Sequence, residues 1–72
     1  MPRFFFDVHD GRDLIDDEGV ELCDLGAAKR EALKCASGML GETSADWPGE
    51  LLRMDVRDEG GNVVASLRFT AS

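Results

Sequence analysis

Hydrophobic and polar positions alternate near both ends of this chain and follow a helical repeat only in its middle. In residues 3–9, RFFFDVH, Phe4, Phe6 and Val8 fall on one side of an extended backbone, with Arg3, Phe5, Asp7 and His9 on the other. That is the pattern of a strand with one buried face. Asp10-Gly11 then signals a tight hairpin turn. A return strand over 13–16 follows, which places Ile15 opposite Phe6 and Leu14 opposite Asp7. Residues 17–19 break the pattern, and Val20 and Leu22 are expected to fill the space beside the next element.

That element is a helix over residues 24–40, DLGAAKREALKCASGML. Leu25, Ala28, Ala32, Leu33, Cys35, Ala36, Met39 and Leu40 lie within about 160° of arc, while Arg30, Glu31, Lys34, Ser37 and Gly38 take the other side. Asp24 is the expected N-cap, because its carboxylate accepts from free amides of the first turn at the positive end of the helix dipole. Gly41 stands where a left-handed terminal residue is wanted. Lys29 falls inside the apolar arc, so its stem is expected along the core with its ammonium in water.

The tail carries the clearest pairing signal. Residues 51–58, LLRMDVRD, and 63–70, VVASLRFT, flank Gly60-Gly61. A two- or four-residue loop there sets Val56 against Ala65, Met54 against Leu67 and Leu52 against Phe69. All six are apolar, so turn chemistry and hydrophobic pattern agree on the register. The expected fold is α+β, in the order β-β-α-β-β: one domain over residues 1–72, with a four-stranded antiparallel sheet in strand order 2-1-3-4 and one helix on one face. Between helix and second hairpin, Trp47 followed by Pro48 is expected to form a lid over the end of the core.

Composition narrows the function classes. A net charge of -7 argues against general nucleic-acid binding, which needs concentrated positive charge. No apolar run approaches a membrane span, and the opening MPRFFFDVHD lacks the apolar stretch of an export signal. The helix would separate Cys23 from Cys35 by about 18 Å, at about 1.5 Å per residue. That is beyond disulfide reach, so two free thiols and a reducing cytoplasm are expected, with Cys35 in the core.

Candidate chemistry is sparse. Asp7, Asp10, Asp13, Asp16, Asp17, Glu18, Glu21 and Asp24 form an acidic run, but without the spacing of a calcium loop, and strand alternation sends neighbouring carboxylates apart. A solvated acidic rim is the expected role, with weak divalent-cation binding or hydrolysis at this hairpin as the alternative. His9 lacks nearby metal-ligand spacing and a nameable nucleophile, so it is expected to hydrogen-bond a neighbouring carboxylate. Neither a catalytic residue nor a cofactor is expected, and no phosphate loop, nucleophile elbow or dinucleotide motif is present.

The uncovered face of the sheet is more informative. The register puts Arg53 opposite Arg68 and Arg57 opposite Val64, with Arg3, Phe5, Asp7, Leu14, Leu51 and Asp55 on the same side. Like charges facing each other across strands are unfavourable unless something negative lies near. Diagonal ion pairs with Asp55 or Asp7 are one answer. The other is an interface with an apolar centre of Phe5, Leu14, Leu51 and Val64 and a rim of Arg53, Arg57 and Arg68. A non-enzymatic module that forms a homodimer or binds a protein partner through this face is the leading expectation. Binding of an anion or single-stranded nucleic acid by the arginines is a weaker alternative.

The segments PRFFFDVHDG, DDEGVELCD, AAKREAL and VRDEGGNVV, in this order, carry a resemblance. Together they resemble a domain-of-unknown-function family of short bacterial proteins. Its pattern opens P-R-(Y/F)-F-F-D-x-H-D-G and continues D-x-x-G-x-E-L-x-D, A-A-x-x-E-A and V-R-D-x-x-G-x-x-V. The chain departs from that pattern in its alanine- and glycine-containing helix end and its short tail after Phe69. The resemblance implies a small cytoplasmic bacterial protein and no reaction. Residues 4–36 are more loosely similar to HicB-type antitoxins, which share an acidic-turn hairpin before the helix; that likeness concerns fold alone.

Overall fold

The computed structural model describes residues 1–40 and 49–71, with backbone alone at residues 40, 49–51 and 71. The Trp47 lid and the Gly41 helix end lie outside the described residues. The elements run β1 (Arg3–His9), β2 (Asp13–Leu14), β3 (Val20–Glu21), α1 (Leu25–Leu40), β4 (Gly49–Arg57) and β5 (Val63–Ala71). All pairings are antiparallel, in the order β2-β1-β4-β5, and β3 also pairs with β1. The fold is therefore α+β with one helix on an open sheet; the expected order holds for four strands, and β3 is a fifth that the sequence pattern does not predict.

The helix forms where the apolar arc predicts and starts as its cap predicts. The Ala27 amide donates to Asp24 Oδ1 at 2.8 Å, and the Ala28 amide donates to the Asp24 carbonyl at 3.1 Å. Its buried line is Ala28, Ala32 and Ala36, all fully enclosed against Phe4, Val8, Leu52, Met54 and Val56. Side chains this small let the helix axis sit close over β4 and β5. Contact is then confined to a narrow stripe. Leu33 at 47% and Met39 at 37% exposure lie off it, and Cys35 is exposed rather than in the core. Both thiols are free. Partial burial and the nearby Glu31 carboxylate push the Cys35 thiol above its ordinary value.

The second hairpin keeps its expected centre and differs at both ends. Leu52 faces Phe69, Met54 faces Leu67, Val56 faces Ala65 and Arg53 faces Arg68. The loop, however, is closed by the Asp58 amide on the Asn62 carbonyl at 2.9 Å, which leaves residues 59–61 between them. Gly61 takes φ 83° there, the left-handed residue that ends a three-residue hairpin loop. Such a loop shifts the register by one, and a bulge at Val64 shifts it back. Arg57 therefore faces Val63, not Val64, and Val64 packs against the core. A further irregularity between Glu50 and Leu52 makes Leu51 the extra residue on β4. Its side chain lies outside the described residues.

The first hairpin departs further. Val8 pairs with Leu14 and His9 with Asp13, one position away from the expected register. The loop comprises residues 10–12, with Gly11 at φ 103°. Leu14 therefore shares the side of Val8 and leaves the open face. Ile15, expected opposite Phe6, follows the end of β2 and is 61% exposed.

Candidate functional site

The open face is built of three cross-strand rows. Phe5, Arg57 and Val63 form the first, Asp7, Asp55 and Ser66 the second, and His9, Arg53 and Arg68 the third. Of the expected apolar centre, only Phe5 lies on this face among the described side chains. Phe5 is half-buried beneath the Arg57 guanidinium, whose carbon lies 5.1 Å from the ring centroid. Leu14 and Val64 point elsewhere. Of the expected interface residues, Arg53, Arg57 and Arg68 share this face with Phe5.

Arg57 is committed to the fold. Its Nε donates to Asp7 Oδ2 at 2.6 Å, and Nη2 donates to Asp7 Oδ1 at 3.1 Å and to the Asp16 carbonyl at 2.9 Å. Asp7 is the one buried charged residue among those described, at 6% exposure. Burial pushes its carboxyl up. The Arg57 hydrogen bonds, the Asp16 amide at 3.0 Å and the guanidinium charge outweigh that and hold it below the usual 3.8.

Asp16 links this cluster to the sheet edge. Its Oδ2 accepts the Phe6 amide at 3.1 Å, and its Oδ1 accepts the amides of Glu18 and Gly19 at 3.0 and 3.1 Å. The carboxylate thus fills the interval along β1 between β2 and β3, taking an amide that a ladder partner would otherwise hold. Burial raises its pKa, but the three amides and Arg57 leave it lowered overall. Sequence reasoning missed this role. Its one local signal is an aspartate three residues before a glycine, a turn-forming spacing.

At the other end of β1, His9 lies between two carboxylates. Nδ1 is 2.6 Å from Asp13 Oδ1 and Nε2 is 3.4 Å from Asp55 Oδ2. The Ser66 hydroxyl donates to Asp55 Oδ1 at 2.7 Å. Both ring nitrogens face carboxylates and the serine proton is directed at one, so this trio does not form a nucleophile with its base. The carboxylates of the acidic hairpin likewise have local partners: Asp7 on Arg57, Asp16 on amides, and one oxygen each of Asp13 on His9 and Asp10 on the Arg12 amide. Among the described residues, no group of three or more histidine, cysteine or acidic side chains could hold a metal ion. The expected hydrogen bond between His9 and a neighbouring carboxylate is present, with Asp13 as its partner.

The remaining arginines differ in their ties. Arg3 reaches Glu21 at 3.3 Å and the Glu18 carbonyl at 2.8 Å. Arg53 Nε lies 3.6 Å from Asp55 Oδ2, and that buried atom has no hydrogen-bond partner. Arg68 is exposed directly opposite Arg53, and none of the described carboxylates forms an ion pair with it. Among the described residues, the least satisfied charge on the open face is therefore the Arg53–Arg68 pair at its β5 border. An open hollow of about 350 Å³ beside Phe4, Leu25 and Val64 lies at the far end of β1 from this pair.

Comparison with known proteins supports the expected membership of a domain-of-unknown-function family. The family model described as domain of unknown function DUF6894 matches residues 3–70. No curated protein and no solved structure matches the chain. None of the described helices is long and apolar enough to cross a membrane.

Proposed function

This chain belongs to the DUF6894 family of unknown function, and from that premise we propose that it is a non-catalytic interaction module that associates with its own kind along the open side of the sheet. The observation that carries this reading is the contrast between the two sheet edges. The outer edge of β1 is covered by β2, β3 and the Asp16 carboxylate. Strand β5 is nine residues long, contains no proline and has no described strand on its far side. Long edges of this kind template pairing with another chain, and folds usually blunt them. The Arg53–Arg68 pair beside this edge also favours a neighbour carrying negative charge. The contact therefore moves from the middle of the face to its β5 border, and Phe5 and Arg57 become part of the scaffold.

Sedimentation from micromolar to millimolar protein tests this. The average mass should rise from 7.9 kDa towards twice that value as concentration increases. A strict monomer throughout would contradict self-association. If that monomer bound single-stranded oligonucleotides with a steep salt dependence, the reading of Arg53 and Arg68 as an anion site would replace it.

A further inference from the structure

We infer that the partner is a second copy of this chain, added antiparallel to β5 about a two-fold axis through Leu67. This rests on the self-association proposed above and specifies its register. A two-fold axis normal to the sheet brings one residue of β5 against its own copy and pairs the flanking residues reciprocally. The choice of that central residue decides which side chains meet.

With Leu67 at the centre, Ser66 faces the partner's Arg68, and Arg68 faces the partner's Ser66. The row Asp7–Asp55–Ser66 of one copy then continues into Arg68–Arg53–His9 of the other. A row with two carboxylates meets a row with two arginines, and it does so twice by symmetry. Asp55 is already turned towards this border, because its Oδ1 accepts the Ser66 hydroxyl at 2.7 Å. It lies two strand spacings, about 10 Å, from the incoming arginine's backbone. An extended guanidinium closes most of that gap. On the helix side, Leu67 meets its copy and half-buried Phe69 faces the partner's small Ala65, so large and small side chains alternate across the join.

Other centres are poorer. An axis through Arg68 sets two guanidinium groups face to face. One through Ser66 places Arg68 against the partner's Val64, at the bulge that interrupts regular pairing. One through Ala65 leaves the end of the strand from Arg68 onward without a partner residue in β5. The Leu67 register satisfies the exposed arginine and keeps both helices on the same side of a continuous sheet.

A charge exchange at two exposed positions tests the register. Ser66→Arg sets arginine against the partner's Arg68, and Arg68→Glu sets glutamate against Ser66 and Asp55 of the partner. Each should weaken dimerisation by roughly tenfold or more, with an unchanged far-ultraviolet circular dichroism spectrum. The combined Ser66→Arg/Arg68→Glu chain should dimerise again, because arginine and glutamate then face each other in both copies. If the natural chain dimerises and neither single substitution weakens it, this register is overturned while self-association stands. Failure of the double variant to recover after both singles dissociate would also overturn it. A natural chain that stays monomeric at every concentration would overturn both.

Discussion

Gly19→Ala should be among the most destabilising single-methyl changes in this chain. Gly19 has φ 73°, and a Cβ built there would lie 2.9 Å from the Phe4 carbonyl oxygen, 2.9 Å from Arg3 Cγ and 2.9 Å from the Phe5 ring. Side chains can turn aside, but the β1 carbonyl is fixed by the sheet. The left-handed backbone costs an alanine roughly 1–2 kcal/mol, and forcing atoms into a filled space costs about 1–3 kcal/mol more. A total of about 3 kcal/mol corresponds to a fall of roughly 12–24 °C in the midpoint of a domain this size. Two other glycines separate the causes. Gly61, at φ 83° with open space around it, should lose only the backbone part, about 1–2 kcal/mol. Gly38, in the helix with nothing near, should gain roughly 0.5–1 kcal/mol on becoming alanine. Thermal melts of the three variants check this. Equal losses at positions 19 and 61 would show that segment 15–19 does not press on β1.

The second large effect is expected at Asp7. Asp7→Asn preserves shape but removes the charge that orients Arg57 and one of the two oxygens that accept from Arg57 and the Asp16 amide. An amide cannot accept on both sides as a carboxylate does, so an N–H group would be turned towards a donor. The loss should be about 2–3 kcal/mol at neutral pH, the range for a charged hydrogen-bonded partner removed from a buried site. The substitution also changes the acid response. Asp7 and Asp16 both titrate below the usual 3.8 in the folded chain, so their stabilisation is full above that value and lost as pH falls through the lower folded values. The natural chain and Asp7→Asn should therefore converge in stability as the solution is acidified below about pH 4. Urea titrations across that range give the difference directly. A gap that stayed constant on acidification would show that the Asp7 charge is not what holds Arg57.

Which parts of this arrangement could be read from the sequence follows from how each is encoded. Leu52, Met54 and Val56 against Phe69, Leu67 and Ala65 were legible because strand alternation and a glycine turn constrain the same pairs. Asp24 was legible because capping is local. The choice between Val63 and Val64 was not. Gly60-Gly61 admits loops of several lengths, and the shift from the three-residue loop is reversed by the Val64 bulge, leaving the central pairs untouched. Leu14 was misplaced by the same kind of one-residue ambiguity around Gly11, which moved it to the other side of the sheet. The apolar arc of the helix could not distinguish the alanines that make contact from Leu33, which does not, because that depends on how close the sheet lies. Diagonal ion pairing of the open-face arginines was foreseen with Asp7 and Asp55. Asp16 was not foreseen, since a side chain taking the place of a strand partner leaves no periodic trace. Its effect on the candidate site is large: it helps cover one edge, while β5 is a long strand with no described strand beyond it.

Amide exchange followed residue by residue, in dilute and in concentrated protein, tests this inequality of edges most directly. The Phe6 amide, held by Asp16, should exchange slowly at every concentration, while the outward amides of β5 should exchange fast when dilute and slow progressively as protein is added. Outward β5 amides whose rates ignore concentration, or a Phe6 amide that exchanges freely in dilute solution, would contradict it.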